Sequence, residues 1–77
     1  MLNSVQSAID DYIRSHVLKN VSDILFFPTD DTVIIFRKGI NRKNILLDVS
    51  DKASPSEVVE LISEKLERFH YAKSRTY

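Results

Sequence analysis

Cysteine is absent from this chain of 77 residues, which excludes disulfides and thiolate metal sites. Small secreted domains usually depend on such cross-links, so their absence favours a reducing compartment. No apolar run approaches the ~20 residues that a membrane-spanning helix needs. The N-terminal sequence MLNSVQSAID also lacks the basic and apolar segments of a signal peptide. We therefore expect a cytoplasmic protein with no membrane partner.

Glycine and proline are scarce, with one and two residues respectively, so little sequence is left for linkers. A chain of this length forms a single domain, here spanning residues 1–77. Such a domain buries only about 60–65% of its unfolded surface, and self-association is one way to gain further stability. From its size alone we expect a small phage or bacterial protein.

Neither sign of charge is in excess, because eleven lysine and arginine residues balance eleven aspartate and glutamate residues. Nucleic-acid binders are usually basic overall or on one face, so such binding would require segregated charges. The sequence contains no glycine-rich phosphate loop and no nucleophile motif. Its two histidines, His16 and His70, do not have metal-ligand spacing. We expect no enzymatic activity, no cofactor and no metal site.

The chain begins and ends with apolar residues at helical spacing. The first such segment predicts a helix over residues 4–18. In the second, Ser54, Pro55 and Glu57 form a capping box, which predicts a helix over residues 55–71. The tail, residues 73–77, is expected to fray.

Three short segments between the helices are rich in β-branched and aromatic residues and are separated by turn residues. They predict strands over residues 22–27, 32–38 and 43–49. Two short turns make neighbouring strands antiparallel. The expected fold is an α+β domain of order α-β-β-β-α, a three-stranded meander with two helices packed on one face.

The predicted register gives the sheet two apolar faces, although a meander covered on one side usually has one polar face. With Phe36 opposite Ile45, the helices are expected to cover one set of side chains: Leu25, Phe27, Ile34, Phe36, Ile45, Leu47 and Val49. The other face is then expected to be uncovered by the chain itself, and it carries Ile24, Phe26, Val33, Ile35 and Leu46. Alternatively, each helix covers one face in a three-layer domain.

An uncovered apolar face of this size is unusual on a monomer. It predicts a non-catalytic protein-interaction module that dimerises, or docks another protein, through Ile24, Phe26, Val33, Ile35 and Leu46. The partner is thus a second copy or another protein.

Two alternatives involve charged surfaces. Arg37, Lys38, Arg42 and Lys43 surround one turn and could contact nucleic acid. Glu57, Glu60, Glu64 and Glu67 form an acidic helix face that could imitate a phosphate backbone, as in an inhibitor of a nucleic-acid-handling enzyme. The element order resembles that of the double-stranded-RNA-binding domain, but the lysines with which that family holds RNA have no counterpart at residues 54–57. That resemblance is limited to topology.

Overall fold

The computed structural model describes residues 2–39 and 43–74 and confirms an α+β fold with two helices and an antiparallel three-stranded sheet. A second, two-stranded sheet pairs residues 16–18 with residues 72–74. The elements in chain order are α1 (Leu2–Ser15), β1 (His16–Leu18), β2 (Val21–Phe27), a 3-10 turn (Pro28–Asp30), β3 (Thr32–Arg37), β4 (Ile45–Asp48), α2 (Pro55–Arg68) and β5 (Ala72–Ser74).

Helix α1 ends three residues before the predicted boundary, because residues 16–18 form strand β1. The Ser15 hydroxyl donates to the Tyr12 carbonyl at 3.1 Å, and the His16 ring Nδ1 lies 2.9 Å from the same oxygen. These contacts occupy a carbonyl that the last helical turn leaves without a backbone donor. Strand β1 then pairs antiparallel with β5, so residues 73 and 74 of the predicted frayed tail belong to a strand. Residues 75–77 of that tail lie outside the described chain.

Helix α2 begins as predicted and ends earlier. The Ser54 hydroxyl accepts a hydrogen bond from the Glu57 N–H at 3.4 Å, with Pro55 in the first helical position. At the other end, His70 takes a positive φ of 62°. The His70 and Tyr71 N–H groups donate to the Glu67 and Leu66 carbonyls, so the chain turns back after the helix to form β5.

The register of the main sheet, ordered β2-β3-β4, was half correctly predicted. Leu25 lies opposite Ile34, as expected, but Ile34 lies opposite Leu46 and not Leu47. The Arg37 N–H donates to the Asn44 side-chain oxygen at 3.3 Å, so the connection between β3 and β4 is wider than a four-residue turn. A slip of one residue exchanges the two faces of a strand.

This slip reverses the predicted burial of β2 and β3. Ile24, Val33 and Ile35 are completely buried under the helices, and Phe26 is half-buried against the same core. The prediction that this face is uncovered was therefore wrong. In β4, by contrast, Ile45 and Leu47 point toward the helices as predicted. Both faces of the sheet carry large apolar residues, so alternation alone could not decide which one the helices cover.

Both helices contribute their apolar stripes to one core. The buried apolar residues are Val5, Ile9, Tyr12, Val21, Ile24, Val33, Ile35, Leu47, Val49, Val58, Ile62, Leu66 and Ala72. No charged or polar residue in the described chain is fully buried.

Candidate functional site

The sheet face opposite the helices carries a set of large apolar side chains, which we call the open face: Leu25, Phe27, Ile34, Phe36 and Leu46. They share this side because they alternate along the strands with the buried residues. Leu46 is 65% exposed and Phe27 is 37% exposed, while Leu25, Ile34 and Phe36 are half-buried. Of the five residues predicted at an interface, only Leu46 belongs to the open face.

One end of the open face is polar. Thr32 lies opposite Asp48, whose carboxylate accepts a hydrogen bond from the Ser50 N–H at 2.9 Å. This hydrogen bond, which favours the charged form, lowers the pKa of Asp48. The centre of the face is formed by Leu25, Ile34 and Leu46, which are opposite one another across the three strands.

The two outer edges of the sheet differ. On β2, the Phe26 N–H donates to the Gln6 side-chain oxygen at 2.9 Å, and the Gln6 side-chain nitrogen lies 3.3 Å from the Ile24 carbonyl oxygen. Helix α1 therefore occupies backbone groups that would otherwise be available to another strand. On the other side, a groove of about 380 Å³ runs beside β4 and is lined by Arg37, Lys65, Phe69 and Tyr71 together with β4 itself.

The predicted basic turn is not a single cluster. Arg37 points away from it: its Nη2 donates to the Tyr71 hydroxyl at 2.7 Å, and its Cζ lies 4.9 Å from the centre of the Tyr71 ring. Lys38 and Lys43 are exposed. Arg42 lies outside the described residues.

The predicted acidic helix face is partly neutralised. Lys52 lines a shallow groove together with Glu57, Glu60 and Glu64. Glu64 also lies 3.8 Å from Arg68. Glu67 contributes to the fold, because it accepts hydrogen bonds from the Tyr12 and Ser63 hydroxyls.

Residues 2–39 and 43–74 contain no group of three or more histidine, cysteine or acidic side chains that could hold a metal ion. The helices in the same part of the chain are too short or too polar to cross a bilayer.

Sequence reasoning missed the parts of the site that depend on the path of the chain. No local pattern indicates the contacts of Gln6 with β2 or of Tyr71 with Arg37. Phe69 continues the helical spacing of Val58, Ile62 and Leu66, but it is 57% exposed. The end of the helix at Arg68 moves it out of the core.

Comparisons with known proteins give no match to a family model, a curated protein or a solved structure.

Proposed function

We propose that this chain is a non-catalytic protein-interaction module and that two copies associate by stacking their open faces. The observation that supports the proposal is the set Leu25, Phe27, Ile34, Phe36 and Leu46, which lies on the side of the sheet away from both helices. Contiguous exposed apolar residues on a sheet usually mark an interaction surface.

A second copy is a suitable occupant for three physical reasons. Sheets pack face to face at about 10 Å, with the side chains of the two inner faces interdigitating. The net charge of the chain is zero, so two copies do not repel one another overall. Finally, a domain this small gains stability from association because dimerisation favours the folded state by mass action.

The symmetry of a dimer adds a geometric expectation. In a two-fold interface each copy uses the same patch. An axis through the middle strand β3 would bring Ile34 close to Ile34 of the second copy, with Phe27 and Phe36 on either side. Aromatic residues are well suited to such positions because they bury a large area with few rotatable bonds.

The test is sedimentation velocity across a dilution series of the wild-type chain and of the double variant Ile34→Thr, Phe36→Thr. Threonine retains the preference for strand structure but removes much of the apolar area. We expect a concentration-dependent dimer for the wild type, a monomer for the double variant, and the same circular dichroism spectrum for both. Val17→Thr is the matched control, since Val17 is 51% exposed but lies on β1, away from the open face.

A wild-type chain that stays monomeric at every concentration would contradict self-association. The alternative, nucleic-acid binding by the turn at residues 37–43, retains two exposed cations, Lys38 and Lys43. It predicts a salt-dependent mobility shift that is lost in the Lys38→Ala, Lys43→Ala variant and unaffected by the open-face substitutions. The proposal also includes a cytoplasmic location and a phage or bacterial source; the lack of cysteine supports the location, and small size is the only support for the source.

A further inference from the structure

Within residues 2–39 and 43–74, the hydrogen-bonding pattern of β4 leaves one side of this strand available. The Val49 N–H donates to the Asp31 carbonyl at 2.9 Å, and the register continues with Leu47 opposite Val33 and Ile45 opposite Ile35. In an antiparallel ladder, bonded and non-bonded pairs alternate. The backbone N–H and C=O groups of Leu46 and Asp48 therefore point away from β3, toward the outer edge.

The two edges of the sheet differ in a way that favours β4 as an acceptor. Gln6 closes the edge of β2 with its side-chain amide. Beside β4, within the described part of the chain, there is instead a groove with exposed apolar side chains at its border, Leu46 and Phe69. Proteins usually protect a strand edge with charge, proline or a covering element, and exposed apolar side chains beside an edge suggest a ligand.

The charges that line this groove are all positive. Arg37 and Lys65 line it, and no acidic residue of the described chain does. Among the described residues neither of the two forms an ion pair, and the Nε atom of Arg37 is buried without an acceptor. A groove lined by two cations that have no carboxylate partner, in a chain of zero net charge, favours an anionic partner.

From these observations we propose that the outer edge of β4 binds an extended, acidic segment of another protein, which adds to the sheet as a fourth strand. Backbone groups of the segment pair with Leu46 and Asp48, as in known cases of strand addition. Alternate side chains of the segment point into the groove, where carboxylates meet Arg37 and Lys65.

A second copy of this chain fits this edge less well. Antiparallel pairing of two β4 strands about Leu46 would place the two grooves side by side and bring Lys65 near Lys65 of the other copy. Like charges in such a position oppose association. The edge shares Leu46 with the open face, but strand addition uses the backbone groups of Leu46 and the groove beside β4, so it goes beyond the self-association proposed above and does not depend on it.

The first measurement is amide hydrogen exchange, which reports on the edge directly. The probe is a peptide of about eight residues in which glutamate and valine alternate, long enough to cover a short strand. In the free protein, the Leu46 and Asp48 amides should exchange faster than the Leu47 and Val49 amides. Adding the peptide should slow exchange at Leu46 and Asp48 selectively. No change in exchange at Leu46 at saturating peptide would overturn the proposal.

The second measurement is peptide affinity by fluorescence anisotropy, with two control peptides. One carries N-methyl groups on the edge that would face β4, and the other has lysine in place of glutamate. We expect each to bind at least about tenfold more weakly than the parent, the first because it cannot donate backbone hydrogen bonds to β4 and the second because its lysines meet Arg37 and Lys65. Equal affinity of the N-methylated and parent peptides would show that binding does not use strand addition, which would refute the proposal.

Charge reversal in the protein completes the test. Lys65→Glu should weaken binding of the glutamate peptide about tenfold and strengthen binding of the lysine peptide. Lys19→Glu, an exposed cation that does not line the groove, should leave both affinities unchanged. A groove that binds single-stranded DNA but not the glutamate peptide would also overturn the proposal. Sedimentation of Lys65→Glu separates the two hypotheses, since dimer formation through the open face should persist in this variant.

Discussion

Tyr12 connects the two helices through a single side chain. Its ring is buried and stacks on His16 with the ring centres 3.9 Å apart, and its hydroxyl donates to the Glu67 carboxylate at 3.3 Å. Burial is the main cause that raises the pKa of Tyr12 from 10.0 to about 12. The nearby charge of Glu67 acts in the same direction, because a negative neighbour disfavours the tyrosinate.

This pKa predicts a specific loss of stability in alkali. Between pH 10 and 12 the unfolded chain releases the Tyr12 proton while the folded chain retains it, so the free energy of unfolding falls as the pH rises through this range. The contribution is fully present below pH 10. Urea unfolding as a function of pH should show this additional decline in the wild type and not in Tyr12→Phe. At neutral pH the same variant should be less stable by about 1 kcal/mol, through the lost hydrogen bond. Parallel pH profiles for the two proteins would contradict the assignment.

Single residues were predictable where their role depends on near neighbours in the sequence. The Ser54 cap is an example, because its partner Glu57 is three residues away and the motif is complete within four positions. Arg37 was assigned to a basic turn because it adjoins Lys38. Its partner in the structure is Tyr71, which lies in the segment that follows α2. No local pattern in the sequence indicates that contact.

At the scale of elements, the two edges of the main sheet differ in whether a side chain pairs with their backbone groups. Gln6 lies on α1 but acts as part of the sheet, since its amide pairs with the backbone of β2. Gln6→Leu should reduce stability by about 1–2 kcal/mol because the Phe26 N–H and Ile24 C=O lose their partner. It should also promote association through the newly available edge.

Gln6→Glu is the matched variant. A carboxylate can still accept from the Phe26 N–H but cannot donate to the Ile24 carbonyl. We expect its urea midpoint, measured at neutral pH, to lie between those of wild type and Gln6→Leu. Light scattering at increasing concentration should show extra association only for the leucine variant. Wild-type stability in Gln6→Leu would mean that the amide does not support the edge.

The strands themselves were predictable from composition, but their faces were not. Turn chemistry at residues 28–31 fixed the β2–β3 register, with Phe27 opposite Thr32. The connection that follows Arg37 gave no such constraint. In a tight turn the Arg37 N–H would donate to a backbone carbonyl, whereas here it donates to the Asn44 side-chain oxygen. The resulting error of one residue moved the predicted interaction surface to the wrong side of β2 and β3.

At the scale of the whole molecule, the small sheet β1–β5 holds the segment that follows α1 against the segment that follows α2. The Lys19 N–H donates to the Tyr71 carbonyl at 2.7 Å, and Val17 lies opposite Lys73. Strands of three residues give almost no sequence signal, and the two are far apart in the chain. Pairing them depends on the positions of α1 and α2, which only the complete fold determines.

Proline substitutions can test this junction because its hydrogen bonds alternate. With Lys19 and Tyr71 forming a bonded pair, Val17 and Lys73 form the next one, whereas the Ser74 N–H points outward. Lys73→Pro removes the backbone N–H that pairs with Val17. It should lower the free energy of unfolding by about 1–2 kcal/mol, measured by urea denaturation at one fixed protein concentration. Ser74→Pro should stay within about 0.5 kcal/mol of wild type, since proline is tolerated where a strand needs no donor. If both variants lost the same stability, β1 and β5 would not be paired in this register.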